Sequence, residues 1–242
     1  LGTYRSSTGK PVGQIFGLIS DGLFTEDDFE DLNTGKLKQG IPLHKFSGRV
    51  YPGDIKYIDK DEDGEITEKD KTAIGGTVNP ELVYGFGLNV NYKNLDFGVF
   101  FQGNGYTYRV IGDGQKNFLP GSTIGAEGNI FKNAADAWSI VNQSQDVFYP
   151  RLHLGYNANN AQTSDWWLKD MSMCRLKNLE IGYSLPQSLI AKAAMSYARF
   201  FLRGTNLVQF SSFRLWDPEL NTNNGLQYPI MATYSMGVQV RF

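Results

Sequence analysis

Residues 81–102 read ELVYGFGLNVNYKNLDFGVFFQ, and this stretch decides the fold. Every even position from 82 to 92 is apolar (Leu82, Tyr84, Phe86, Leu88, Val90, Tyr92). Between them stand Glu81, Val83, Gly85, Gly87, Asn89 and Asn91, mostly small or polar. After Lys93-Asn94, Leu95, Phe97, Val99 and Phe101 alternate with Asp96, Gly98, Phe100 and Gln102. A period of two on both sides of a two-residue break predicts an antiparallel hairpin. Each run is longer than the ~5–6 residues usual in soluble sheets and approaches the ~9–11 that cross a bilayer at a tilt.

The same pattern recurs toward the C-terminus. Ile230, Ala232, Tyr234, Met236, Val238, Val240 and Phe242 are apolar, with Thr233, Ser235, Gly237, Gln239 and Arg241 between them. Two further candidates lie in between. Leu179, Ile181, Tyr183 and Leu185 follow Cys174 and Leu176, with the alternation broken at Lys177-Asn178 as a β-bulge would break it. Ala198, Phe200, Leu202, Val208 and Phe210 alternate with Arg199, Arg203, Thr205 and Gln209. One polar face and one continuous apolar face suit a strand between a wet lumen and lipid. Strands are therefore expected at 81–92, 95–108, 173–185, 197–210 and 230–242. Their connections alternate between short (93–94, 186–196) and long (109–165, 211–229), the asymmetry of an outer-membrane barrel. Residues 1–80 show no clear strand pair and read as an extracellular loop region, with one short strand near 12–18 and, further on, a short helix near 130–138.

Composition agrees. Among 242 residues aromatics reach 14% and glycines number 27, yet mean hydropathy is −0.34, because alternating strands average their hydropathy away. Basic residues number 23 against 25 acidic, which excludes the strongly basic footprint of a nucleic-acid binder. One cysteine, Cys174, excludes an internal disulfide and a multi-cysteine metal site. No nucleophile elbow, zinc-protease helix or phosphate loop occurs, so no catalytic residues are expected and the chain is not read as an enzyme. It begins at Leu1 without a methionine and reads as processed or as a fragment. Five strands close no barrel, and open edges in lipid leave backbone groups unpaired at several kcal/mol each, so partner strands are expected upstream.

Two motifs carry chemistry. Asp59-Lys-Asp61-Glu-Asp63-Gly64-Glu65-Ile66 with Asp70 places carboxylates at loop positions 1, 3, 5 and 12, glycine at 6 and an aliphatic at 8. This is an EF-hand-type calcium loop over 59–70, since calcium takes six to eight hard oxygens. Asp59, Asp61, Asp63 and Asp70 would supply side chains and Glu65 its carbonyl; the competing reading is a solvated acidic turn. No helices flank the loop, so it is expected to clamp structure rather than to sense calcium. The second motif, Ser235-x-Gly237-x-x-Val240-x-Phe242, is similar to the C-terminal signal that barrel-assembly machinery reads. Trp166, Trp167 and Trp216 are candidates for stacking on sugar rings, against girdle or packing roles.

These residues resemble the SusC/RagA-type TonB-dependent outer-membrane transporters of Bacteroidetes. The likeness runs in order through Gly9-Lys10-Pro11-Val12-Gly13, Asp21-Gly22-Leu23-Phe24, Pro52-Gly53-Asp54-Ile55-Lys56-Tyr57, the aspartate loop, Asn79-Pro80, Tyr84-Gly85-Phe86 and Phe100-Phe101-Gln102-Gly103. It continues through Arg175-Leu176-Lys177-Asn178-Leu179, Gly182-Tyr183-Ser184-Leu185-Pro186, Gly204-x-Asn206-Leu207 and Trp216-Asp217-Pro218-Glu219. One departure is Met171-Ser172-Met173-Cys174, where the family more often has a Tyr-Leu or Phe-Leu pair. The resemblance implies an all-β fold, the C-terminal strands of a transmembrane antiparallel barrel of about 22 strands with a plug and long extracellular loops. It implies import of oligosaccharides or peptides through the outer membrane, a SusD-like surface lipoprotein as lid, and energy from TonB–ExbB–ExbD through an N-terminal part. On that reading 1–80 is extracellular and 81–242 is barrel wall with extracellular loops 109–165 and 211–229. The rival is a soluble calcium-stabilised β module that binds glycan or protein at the cell surface.

Overall fold

The expected hairpin is present in the computed structural model, which describes residues 3–112 and 132–242. β1 (Leu82–Tyr92) and β2 (Leu95–Gly105) pair antiparallel from Tyr92↔Leu95 to Leu82↔Gly105. The two-residue turn between them is tight because Lys93 takes a left-handed φ of +53°, the backbone sense that primed hairpin turns require at their first central residue. Three more strands complete a five-stranded antiparallel sheet: β3 (Met173–Ser184), β4 (Tyr197–Ser211) and β5 (Thr233–Arg241), in spatial order β5-β4-β3-β2-β1. Between β3 and β4 the chain makes one helical turn, Gln187–Ile190, and a 3-10 turn, Ala191–Ala193, closed by the left-handed Ala194.

The break in alternation at Lys177-Asn178 is a bulge. Phe100 pairs with Asn178 and Phe101 with Leu176, so Lys177 is the extra residue. On the other side Leu176 pairs with Val208 and Asn178 with Thr205, and Asn206 takes φ +54° to fit. The bulge keeps Leu176 and Leu179 on one face although they are three positions apart, and so preserves the apolar row across the sheet.

The described residues group into two units. One comprises Asn79–Thr107, Asp170–Asn221 and Gly225–Phe242 and contains the sheet; the other comprises Leu1–Val78, Tyr108–Lys169 and Thr222–Asn224. The expectation that 1–80 carries no clear strand pair is corrected here. Phe16–Gly17 pairs with Thr72–Ala73, Ser20–Leu23 with Ile55–Tyr57, Phe29–Asp31 with Lys36–Leu37, and Leu43–His44, in parallel, with Glu65–Ile66. These strands are two to four residues long, too short for a periodic signal, and most find partners far along the chain. Around them Leu18, Phe24, Ile55, Tyr57, Ile66, Tyr149 and Trp167 are buried. The segment near 130–138 forms a 3-10 turn, Lys132–Asp136; positions 130 and 131 lie outside the described residues. No helix among the described residues is long and apolar enough to cross a membrane, which says nothing of strands.

Candidate functional site

The aspartate loop lies in the second unit. Glu62 (φ +59°) and Gly64 (φ +85°) turn the chain through the left-handed region, and Ile66, wholly buried, pins the end of the loop beside His44. The structure gathers Asp59, Asp61 and Asp63, one carboxylate oxygen of each lying within 4.8 Å of the others. Asp59 accepts the Gly64 N–H at 2.7 Å through Oδ2, while its Oδ1 is shielded from solvent and without a hydrogen-bond partner. An orphaned carboxylate oxygen facing two more carboxylates suits a hard cation. Removal from water, followed by the charges of Asp63 and Asp70, raises the Asp61 carboxyl above its ordinary range, whereas the hydrogen bond from Lys69 holds Asp63 below it.

Two members of the expected ligand set are placed otherwise. Asp70 is buried, and its oxygens accept the Lys60 N–H (2.7 Å) and the Thr67 N–H (2.8 Å). It braces both ends of the loop and stands outside the gathered group, unlike the expectation for position 12, because two backbone N–H groups engage its oxygens. The Glu65 side chain pairs with Lys45 at 2.8 Å, consistent with a role for Glu65 confined to its carbonyl.

Beneath the loop is a polar core that sequence reasoning missed. Asn159 and Asn160 are almost wholly buried. Asn159 donates to Ile55 O (2.8 Å), accepts from the Tyr57 hydroxyl through its own carbonyl (2.9 Å), and pairs with His44 Nδ1 (2.7 Å). Asn160 accepts the Ile55 N–H (2.9 Å) and donates to Asp54 Oδ1 (2.8 Å), which also meets His153 and Asn157. Burial pushes the His44 imidazole down to about 4 and the Tyr57 hydroxyl up, so both are neutral at physiological pH. Two adjacent asparagines in a loop carry no periodic signal; only the backbone groups opposite them reveal the role.

The tryptophans divide. Trp167 is buried, donates to Asn160 O at 2.8 Å and packs near Tyr149 and Phe148. It is a core residue, so the expectation of sugar stacking is withdrawn for it. Trp166 is half-buried, donating to Phe148 O at 3.2 Å. Trp216 is half-buried in the sheet unit, edge-on to Phe213 at 4.9 Å and lying against the backbone of Gly225.

The sheet has two chemically distinct faces. On one, Phe86, Leu88, Val90, Phe97, Ile181, Leu202, Met236 and Val238 form an exposed apolar field, and register places them side by side (Phe97↔Val90, Phe97↔Ile181, Ile181↔Leu202, Leu202↔Met236). On the other, Arg199 reaches across Gly182 to Asp96 and also bonds Glu180 at 2.7 Å, while Arg203 bonds Glu180 at 2.5 Å. A Cβ on Gly182 would come within 2.5 Å of Arg199 Nε and Asp96 Oδ1, so only glycine leaves room for this ladder. The Phe201 ring lies between the two arginines, 5.3 and 5.7 Å from their guanidinium carbons, and covers Gly237. In the C-terminal motif, then, Ser235 and Gly237 lie on the polar face, and Val240 shares the apolar face with Val238; Phe242 is exposed. Near the other strand ends, buried Arg175 pairs with Asp217 (2.5 Å) and Glu219 (2.8 Å), and Lys177 with Glu219 (3.2 Å), tying the 211–229 segment to β3.

An apolar face fit for lipid, backed by a charged face, is the chemistry of a transmembrane β-barrel wall. No family model matches the sequence. Two curated relatives, both from Formosa agariphila, do. TonB-dependent receptor P3 is 30% identical over 253 aligned positions, covering 97% of this chain and 22% of the relative. TonB-dependent receptor P26 is 29% identical over 225 positions, covering 87% and 22%. Among solved structures, the RagAB peptide importer in its open-open state superposes with TM-score 0.62 at 24% identity, over 95% of this chain and 22% of that one. The RagAB peptide transporter superposes with TM-score 0.65 at 22% identity, over 94% and 22%.

By sequence, nearly the whole chain matches a portion of TonB-dependent receptors, and by fold a portion of the RagAB transporter. It spans about a fifth of the length of these relatives, which fits a C-terminal portion. They are receptors and importers rather than enzymes, and the expectation of a non-enzymatic chain stands.

Proposed function

We propose that this chain is the C-terminal part of an outer-membrane importer of large nutrients, oligosaccharides or peptides, that works with a SusD-like surface lipoprotein. The two-faced sheet carries the reading: a soluble module would not leave so broad an apolar field in water. Residues 1–80, 109–165 and 211–229 would be extracellular, Ser235, Gly237, Val240 and Phe242 would be read by barrel-assembly machinery, and TonB–ExbB–ExbD would supply energy through an N-terminal part. Curated relatives named TonB-dependent receptors and a structural neighbour described as the RagAB peptide importer support this. The test is a blot of native cells with an antibody to residues 230–242. A detergent-extracted outer-membrane band several times heavier than this chain is expected; a soluble band of the chain's own mass would overturn the reading.

Calcium belongs to the same proposal. Asp59, Asp61 and Asp63 would hold the ion and the Glu65 carbonyl would add an oxygen, with Asp70 bracing the loop. Extracellular modules of this kind bind at about 10⁻⁴–10⁻³ M. Adding a chelator to the full-length protein is expected to accelerate cleavage around residue 60 by added protease, with protection restored by millimolar calcium. Indifference to both, or unchanged protection in Asp59→Asn/Asp61→Asn, would remove the ion from the account.

A further inference from the structure

In the loop unit three basic side chains gather round one ring. The guanidinium carbons of Arg49 and Arg151 lie 4.5 and 5.3 Å from the centre of Tyr51, and the His153 ring lies 5.6 Å from it. The two guanidinium carbons are thus less than about 10 Å apart, and Arg151 also lies 5.9 Å from the Trp138 ring. Among the described residues neither arginine has a carboxylate partner. Arg49 donates to Leu32 O (2.6 Å) and Arg151 to Pro52 O (3.3 Å), and Arg49 Nε is shielded with no partner at all. The neighbouring acid, Asp54, is wholly buried and engaged by Tyr51 N–H, His153, Asn157 and Asn160. Arg49 is also seated in advance. Its stem lies on Gly35, where a Cβ would come 2.5 Å from Nε and where φ is +73°.

We propose that Arg49, Tyr51 and Arg151 form a recognition site for a carboxylate carried by the imported nutrient. Each guanidinium offers the forked pair of N–H donors that a carboxylate matches, and the tyrosine ring gives an apolar surface beside both. The proposal rests on the import reading and adds a substrate chemistry to it.

The test is calorimetric titration of the full-length transporter with two matched pairs. One is an oligogalacturonate and its methyl ester of equal length; the other is a glutamate-rich peptide and its glutamine counterpart. The acidic member of at least one pair is expected to bind at least about tenfold more tightly than its neutral twin, and the responding pair names the carrier. Arg151→Gln should reduce that preference to about threefold or less. Equal affinity within both pairs, no binding of any member at millimolar concentration, or a full preference retained in Arg49→Gln/Arg151→Gln would overturn the site. The acid–neutral comparison uses the unaltered protein, so misfolding of a variant cannot imitate the result. Uptake is assayed separately, and carboxylate-selective binding without uptake would count against the import reading while leaving the site in place.

Discussion

His44 shows how a single residue is set by neighbours that sequence does not display. It is buried against Phe24 and Tyr57 and bonded to Asn159, with its pKa pushed down to about 4 from an ordinary 6.5. The unfolded chain therefore binds a proton between pH 6.5 and 4 that the folded chain refuses. The stabilisation is complete above 6.5 and is lost as pH falls through that window, by at most about 3 kcal/mol. Hydrogen exchange of residues 43–57 in the full-length protein should accelerate, relative to a His44→Phe variant, as pH drops from 7 to 4.5. Parallel profiles for the two proteins would show that His44 does not set this dependence. Asp70 carries a related lesson. Its place at the twelfth position of the loop suggested a ligand, but two backbone N–H groups claim its oxygens, and only the folded loop shows which demand is met.

At the scale of elements, the sheet depends on glycines whose neighbours lie on other strands. Gly182 on β3 leaves the space through which Arg199 of β4 reaches Asp96 of β2. Gly182→Val would place carbon where that ion pair lies and leave charged groups without partners, at a cost of about 2–3 kcal/mol. In the full-length protein the folded, heat-modifiable form should melt at lower urea, with Gly182→Ala intermediate; an unchanged midpoint for Gly182→Val would mean that the ladder adds no stability. The strands themselves were legible. Expected spans 81–92, 173–185 and 197–210 correspond to Leu82–Tyr92, Met173–Ser184 and Tyr197–Ser211. Even the bulge at Lys177 was visible as a broken alternation. The span expected at 95–108 ends earlier, at Gly105, because Tyr106 takes a left-handed φ of +55° and ends the ladder.

For the whole molecule, the short connections and the long ones should face opposite sides of the membrane if the proposed function holds. In a Cys174→Ser background, cysteine placed at Leu154, an 87% exposed position of the loop unit, should react with a membrane-impermeant maleimide on intact cells. Cysteine placed at Asn94, in the tight turn, should react only after lysis. Labelling of Asn94→Cys on intact cells would invert the topology. The barrel wall could be read along the chain because each strand residue answers to a local alternation between lipid and water, two residues apart. The loop unit could not. Its strands are two to four residues long and most pair across more than 20 positions, as Leu43–His44 does with Glu65–Ile66. Its polar core joins Asp54 and Ile55 to Asn159 and Asn160, and its cationic cluster joins Arg49 to Arg151 through one tyrosine. Which hydrogen bond a buried amide makes, and which charge lacks a counter-charge, depends on positions in space; hydrophobic period records only which side of a strand meets solvent.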